Sequence, residues 1–109
     1  MLQFIQRMDE ARADKWLWAT RFFKTRSQAA KECDLGTLKR GEHSLKPATS
    51  LHIGDVITIP FPDGPGHRTI RVTGLIEKRV GAPLAQACYE DLTAPEIFEA
   101  NKLALQQKR

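Results

Sequence analysis

The chain has 109 residues, 41% hydrophobic and 28% charged, which is typical of a single soluble globular domain. Its formal net charge of +4 and its pI near 9.3 favour an acidic partner, either nucleic acid or an anionic membrane surface. No apolar run approaches the roughly 18 residues that span a bilayer, and the start lacks a signal-peptide pattern. The two cysteines have no metal-ligand spacing, so we expect a reducing, cytoplasmic location and neither metal nor cofactor.

The positive charge is concentrated in one part of the chain, from residue 12 to residue 46. This window holds nine Lys or Arg and four acids, a net charge of +5, whereas the remaining residues sum to −1. The same window contains aromatic residues and the starts of predicted helices. A local basic stretch of this kind is typical of a polyanion-binding protein.

The first predicted helix follows a flexible leader, residues 1–11. Its range is 13–23, because apolar residues recur there at steps of three and four. Trp16 and Leu17 are predicted to lie in the core. Asp14 is predicted to pair with Arg21 or with the backbone.

A second helix is predicted after a short turn. Thr25 at the cap position and Gln28 three residues later form a capping-box pattern, and Gly36 is a natural helix terminator. Small residues on its inner side, among them Cys33, allow a close approach to the first helix. The start of this helix presents backbone N–H groups beside Lys24 and predicts a phosphate-binding turn.

Short extended segments follow, and then a less regular end. The pattern predicts strands near 37–40, 43–45, 51–53, 56–59 and 68–76, with a Pro/Gly loop at 61–66. Residues 84–92 fit a short helix or an extended arm, and a final helix is predicted from about 94 to 107. The fold class is therefore α+β, with two N-terminal helices packed on a small, mostly antiparallel sheet and a C-terminal helical extension.

Several short segments of the sequence resemble motifs of the S4 RNA-binding domain family. They are Arg12-Ala13-Asp14-Lys15-Trp16-Leu17-Trp18, Arg21-Phe22-Phe23-Lys24-Thr25-Arg26-Ser27, Gly36, Lys46-Pro47 and Gly54-Asp55. The first two segments are most similar to the stand-alone, ribosome-associated heat shock protein 15 group of bacteria. The resemblance implies an S4 (αL-motif) core at 12–60, completed by a loop and strand at 61–81 and followed by the extension at 82–109.

The resemblance also implies the site and its partner. The RNA-binding residues expected on this basis, together with neighbouring bases, are Arg12, Lys15, Arg21, Lys24, Thr25, Arg26, Ser27, Lys39, Arg40 and Lys46. The partner it implies is structured RNA, most specifically ribosomal RNA of the large subunit, with tRNA as another possibility. The expected roles are stress rescue, subunit recycling or assembly, carried out by a monomer without a membrane partner. One departure is Arg40-Gly41-Glu42 in place of the usual Val-Asn-Gly, where Gly41 is expected to take a positive φ.

Other functional classes stay open at this level. An enzyme is not expected, because the three His residues are scattered near turns and accompany no nucleophile. A protein-interaction module would use the C-terminal helix as its docking element. A membrane-surface role is weaker still, since no predicted helix divides cleanly into an apolar and a basic face. Trp18 or Phe22 stacking on an unpaired base is a further, minor hypothesis.

Overall fold

The computed structural model describes residues 8–107 and has the predicted α+β architecture. The helices are α1 Ala13–Ala19, α2 Arg26–Asp34, α3 Ala82–Gln86 and α4 Pro95–Gln107. The strands are β1 Ala11–Arg12, β2 Lys39–Arg40, β3 His43–Ser44, β4 Ser50–Leu51, β5 Val56–Pro60, β6 His67–Val72 and β7 Tyr89–Asp91.

The main sheet has five antiparallel strands in the order β3-β2-β5-β6-β7, and a small second sheet pairs β1 with β4. The longest strand pairing of the main sheet joins β5 and β6, from Val56 opposite Arg71 to Pro60 opposite His67. The predicted small antiparallel sheet is thus confirmed. Gly41 has a φ of +66° in the β2–β3 turn, as expected from the sequence.

The core lies between α1, α2 and this sheet. Its largest fully buried side chains include Trp16, Leu17, Leu38, Ile57 and Ile70, as predicted for the first two. The indole Nε1–H of Trp16 donates to the carbonyl of Gly74 at 2.8 Å, so burial leaves no polar atom of that ring unpaired. Burying each large aliphatic side chain contributes about 1.5–3 kcal/mol.

Helix α1 ends four residues earlier than predicted, at Ala19 rather than at position 23. The N–H of Arg21 donates to the carbonyl of Trp18, and the N–H of Phe22 donates to that of Leu17. Arg21 has a φ of +71°, so these bonds form a Schellman ending with arginine at the left-handed position that glycine usually takes. Periodicity alone did not reveal this ending, because no glycine or proline marks it. The α1–α2 turn is longer as a result.

Helix α2 agrees with its prediction. The hydroxyl of Thr25 accepts a hydrogen bond from the N–H of Gln28 at 3.0 Å, and Gly36 follows the helix with a φ of +77°. Ala29 and Cys33 are fully buried between α2 and the core. Burial, followed by the charges of nearby acids, raises the pKa of the Cys33 thiol to about 11. The thiol is therefore protonated at neutral pH and acts as a small core residue.

The two ends are more integrated than predicted. Residues 1–7 of the expected leader lie outside the described residues, but Ala11 is buried in β1 and Met8 packs against the core. The expectation of a flexible leader up to residue 11 is therefore wrong at its end. The segment left open between a helix and an extended arm contains both, α3 followed by β7. Because β7 pairs with β6, the part of the predicted extension that the structure describes, 82–107, is only partly helical and supplies an edge strand of the sheet.

Candidate nucleic-acid interface

The start of α1 is fixed by the loop before β4. The N–H of Ala13 donates to the carbonyl of Thr49 at 2.8 Å, and the N–H of Asp14 donates to that of Pro47 at 3.0 Å. These carbonyls satisfy N–H groups that lack a partner inside the helix. The first turn of α1 is therefore closed to an anion, and it places Arg12 at the surface.

Asp14 organises two of the predicted RNA-binding arginines. Its side chain is 4% exposed, and its carboxylate accepts hydrogen bonds from Nε and Nη2 of Arg12, each at 3.0 Å. Nε of Arg26 lies 3.5 Å from Oδ2 of Asp14, and the N–H of Lys15 donates to Oδ1 at 2.7 Å. The predicted pairing of Asp14 with the backbone is thus confirmed, but its arginine partners are Arg12 and Arg26 rather than Arg21.

The charges around Asp14 keep it ionised in spite of its burial. Burial by itself raises the pKa of this carboxyl, but hydrogen bonding to Arg12 and the charges of Arg12 and Arg26 outweigh burial. The pKa of Asp14 therefore lies below its ordinary value. The hydrogen bond to Asp14 in turn raises the pKa of Arg12. Both arginine side chains stay nearly half exposed, at 43% for Arg12 and 46% for Arg26, so they remain open to a ligand.

The turn between the helices completes what we call the basic corner. The basic corner consists of Arg12, Lys15, Lys24, Thr25, Arg26 and Ser27. Lys24 to Ser27 are all exposed and run through the turn into the first turn of α2. The hydroxyl oxygen of Thr25 accepts the capping hydrogen bond, which leaves its O–H and its backbone as the groups that could donate to a ligand. The N–H groups of Arg26 and Ser27 stand at the open helix start, where helical geometry supplies no partner.

Glu77 connects the basic corner to the segment after β6. Its Oε2 accepts the backbone N–H of Arg12 at 2.7 Å, and its Oε1 lies 3.8 Å from Nζ of Lys15. This carboxylate offsets part of the positive charge at Lys15. The sequence analysis did not identify Glu77, because its distance from Arg12 along the chain gives no local signal.

Arg79 is a second residue that sequence reasoning missed. Its Nη1 lies 3.1 Å from the carbonyl oxygens of Trp18 and Phe23 and 3.2 Å from that of Lys24. Its guanidinium carbon is 5.8 Å from the centre of the Trp18 ring. One side chain thus ties the end of α1 to the turn that carries Lys24. An RNA base stacking on Trp18 would compete with the Arg79 guanidinium for the ring.

We expect Arg79→Met to weaken binding of structured RNA about tenfold, because the Nη1 group that links the carbonyls of α1 and the turn is lost while the side chain keeps its apolar length. Filter binding across a salt series measures the effect. If Arg79 only positions the turn, the slope of log K against log salt stays that of the wild type. A slope reduced by about 0.9 would instead show that Arg79 itself contacts a phosphate.

The remaining predicted residues lie in different surroundings. Lys39 and Lys46 are exposed, on β2 and on the loop before β4. Nη1 of Arg40 donates to the carbonyl of Ser50 and to Oδ2 of Asp55, both at 2.9 Å. The Arg40 guanidinium is therefore engaged within the fold, where it ties β2 to the turn before β5. Its role as an RNA ligand stays a prediction.

Arg21 belongs to the other side of the turn. Its Nη1 donates to the carbonyl of Val80 at 3.1 Å, and its left-handed backbone directs the chain away from α1. The structure therefore groups Arg12, Lys15 and Arg26 around Asp14 and Glu77. Arg21 is not among the partners of these two carboxylates, and it lines the same groove as Lys24.

Between residues 8 and 107, no three His, Cys, Asp or Glu side chains are grouped so that they could hold a metal ion. Over the same residues, no helix has the length and apolar character needed to cross a membrane.

Comparison with known proteins identifies the family. The chain is 39% identical over 85 residues to the heat shock protein 15 homolog of Aeromonas salmonicida, covering 78% of this chain and 63% of that protein. It is 34% identical over 99 residues to heat shock protein 15 of Escherichia coli K12, covering 91% of this chain and 72% of its relative. The chain belongs to the heat shock protein 15 family. No protein-family model matches it.

A solved structure of a heat shock protein 15 supports the same assignment. The trimeric structure of Vibrio cholerae heat shock protein 15 aligns with a TM-score of 0.74 at 37% sequence identity. The alignment covers 91% of this chain and 97% of that one. The resemblance read from the sequence is confirmed at the level of the heat shock protein 15 family. So is the α+β fold, with which an S4 domain is consistent.

Proposed function

We propose that this heat shock protein 15 relative binds structured RNA through the basic corner. The observation that carries the proposal is the arrangement around Asp14. A buried carboxylate holds Arg12 and Arg26 side by side while leaving nearly half of each side chain exposed. Two guanidinium groups held in one place, beside an open helix start, form a site suited to adjacent phosphates.

Recognition in this proposal works through the RNA backbone. Arg26 and Arg12 present planar groups that fork phosphate oxygens, and Lys15 and Lys24 act as point charges. The first N–H groups of α2 add donors of fixed direction. Because side chains cannot easily read the deep groove of A-form RNA, such a site selects a folded RNA by its shape.

The RNA we propose is ribosomal RNA of the large subunit, with a role in stress rescue, recycling or assembly in the cytoplasm. The local charge of +5 between residues 12 and 46 supports an RNA partner of either kind, ribosomal RNA or tRNA, and the ribosomal choice follows from what the resemblance to the heat shock protein 15 group implies. The basic corner is complete within one chain, so we propose that a monomer is the binding unit. The Vibrio relative is trimeric. A trimer in light scattering at micromolar concentration would contradict the monomer proposal.

Co-sedimentation with isolated ribosomal subunits tests the proposal. If five or six phosphates are neutralised, log K for the large subunit falls with log salt at a slope of roughly −4 to −5. The small subunit is the matched control and is expected to bind at least tenfold more weakly. A slope near zero would show that the contacts are not ionic. Equal binding of both subunits would remove the large-subunit part of the proposal.

A protein-interaction module is the second candidate, and α4 favours it. None of the residues of α4 is buried, and Ile97, Phe98 and Leu103 are 38%, 40% and 50% exposed. The helix is nevertheless held in place, since Nδ2 of Asn101 donates to the carbonyls of Asp63 and Pro65. If the wild type fails to bind either subunit at low salt, a protein partner on α4 becomes the better proposal.

A further inference from the structure

A groove of about 850 Å³ lies next to the basic corner. Its walls come from the α1–α2 turn, α2, the β5–β6 loop, α3 and β7. Lys24 belongs to both the basic corner and the groove, so the two form one continuous surface. The volume lies within the range of ordinary ligand sites.

The groove is basic. Among the described residues that line it, one is acidic, Glu32, and four are basic: Arg21, Lys24, Lys31 and Arg68. Nη2 of Arg68 is paired with Oδ2 of Asp91 at 2.8 Å, whereas Lys24 and Lys31 are exposed. Two open lysines and a third exposed base, Arg21, thus face a space with little negative charge. This balance favours an anionic occupant.

Aromatic rings line the groove together with these charged side chains. The rings that line the groove are Phe22, Phe23, Phe61 and Tyr89. Phe22 is already engaged, with its ring centre 4.7 Å from that of Tyr89 and 5.1 Å from the guanidinium carbon of Arg68. Its stacking on an RNA base, one of the hypotheses from the sequence, is therefore not favoured. Phe61 is half-buried and meets Phe98 at an angle of 64°, so these two rings do not stack face to face.

We propose that the groove binds a short unpaired stretch of RNA that continues from the structured RNA on the basic corner. Its phosphates contact Lys24 and Lys31, and one base stacks on Phe61. The inference rests on the proposed function, since the basic corner supplies the first contact. A basic groove lined by aromatic rings is the usual design for single-stranded nucleic acid. An acidic peptide would use the cations but would leave the rings without a role.

Three RNAs test the inference: a blunt hairpin, the same hairpin with an unpaired adenosine tail at its 5′ end, and one with the tail at its 3′ end. We expect one tail to raise the affinity of the wild type roughly tenfold, the usual size of a base-stacking contribution. Phe61→Leu should remove most of that gain and leave the blunt hairpin unaffected. Phe98→Leu is the matched control, because it changes the neighbouring ring outside the groove. Thermal unfolding of both variants establishes that they are folded.

The lysine contact has its own control. The tailed RNA should show a steeper salt slope than the blunt hairpin, and Lys31→Ala should reduce that difference by about 0.7. Lys102→Ala removes one exposed positive charge from α4, outside the groove, and should leave the difference unchanged.

The outcomes separate this inference from the proposed function. Equal affinity for blunt and tailed hairpins, with the blunt hairpin bound, overturns the groove assignment and leaves the basic corner intact. Failure to bind any hairpin overturns both. If the tails add nothing and a poly-glutamate peptide binds the wild type but not Lys31→Ala, the groove takes an acidic protein segment instead.

Discussion

The double variant Lys24→Glu/Arg26→Glu is expected to bind the large ribosomal subunit roughly 100-fold or more weakly than the wild type at moderate salt. Each change removes a charge-assisted contact and adds repulsion toward phosphate. Arg26→Glu also brings a second carboxylate toward Asp14, whose Oδ2 lies 3.5 Å from Nε of Arg26 in the wild type. Co-sedimentation at fixed salt gives the affinity.

The single change Lys24→Glu separates binding from folding, because the Lys24 side chain is exposed and its backbone carbonyl is the group that Arg79 contacts. We expect a loss of about tenfold with an unchanged melting temperature. Lys102→Glu is the matched control, since it changes the net charge by the same amount from α4. If both variants lose affinity equally, the overall charge rather than the basic corner determines binding. If neither does, RNA recognition lies elsewhere.

Asp14→Asn is expected to lower the free energy of unfolding by about 2 kcal/mol at neutral pH, or about 10 °C in the melting temperature. The asparagine keeps the shape and one acceptor oxygen for the N–H of Lys15, but it loses the charge that attracts two guanidinium groups. The loss is kept modest because Arg12 and Arg26 are each nearly half exposed to water. RNA affinity should fall as well, since the two arginines are no longer held side by side.

The difference in the free energy of unfolding between the wild type and Asp14→Asn should depend on pH, because the pKa of Asp14 is lowered in the folded protein. A carboxyl whose pKa is lower in the folded state than in the unfolded state stabilises the fold above the unfolded value, here 3.8. That contribution is lost as the pH falls through the folded-state pKa. Urea unfolding of both proteins should therefore differ most at neutral pH and converge in acid below 3.8. A difference that does not change with pH would show that the carboxylate contributes through shape alone.

The shortened first helix shows where a local pattern was not sufficient. Periodicity extends to Phe23, and Arg21 is an unusual residue for a left-handed position. The ending is stabilised by contacts that the sequence does not signal. Arg79 contacts the carbonyls of Trp18 and Phe23, and Arg21 donates to the carbonyl of Val80. Tertiary contacts therefore decided the boundary, and the longer turn opens the surface that Lys24 shares with the groove.

The sequence by itself determined the elements that depend on neighbouring residues. The Thr25 cap, the Gly36 terminator, the buried Trp16 and the strand alternation of β6 all follow from spacing within one element. The bases are concentrated between residues 12 and 46, and the segments that resemble the S4 family lie in the same part of the chain, from 12 to 55. Local propensity and charge are properties of adjacent residues, so the fold class and the local concentration of bases could be predicted from them, whereas the resemblance to the S4 family named the individual residues of the basic corner.

Only the tertiary structure decided which charges meet. Glu77 and Arg79 follow β6 in the chain and contact residues of the basic corner. Strand β7 completes the sheet and comes from a segment whose sequence pattern was ambiguous. The same packing engages Arg40 with Asp55 and leaves Arg12 and Arg26 exposed around Asp14. Pairings between residues distant in sequence depend on how elements pack in space. No local pattern encodes them, and for that reason the groove and the residues that support the basic corner emerged from the structure alone.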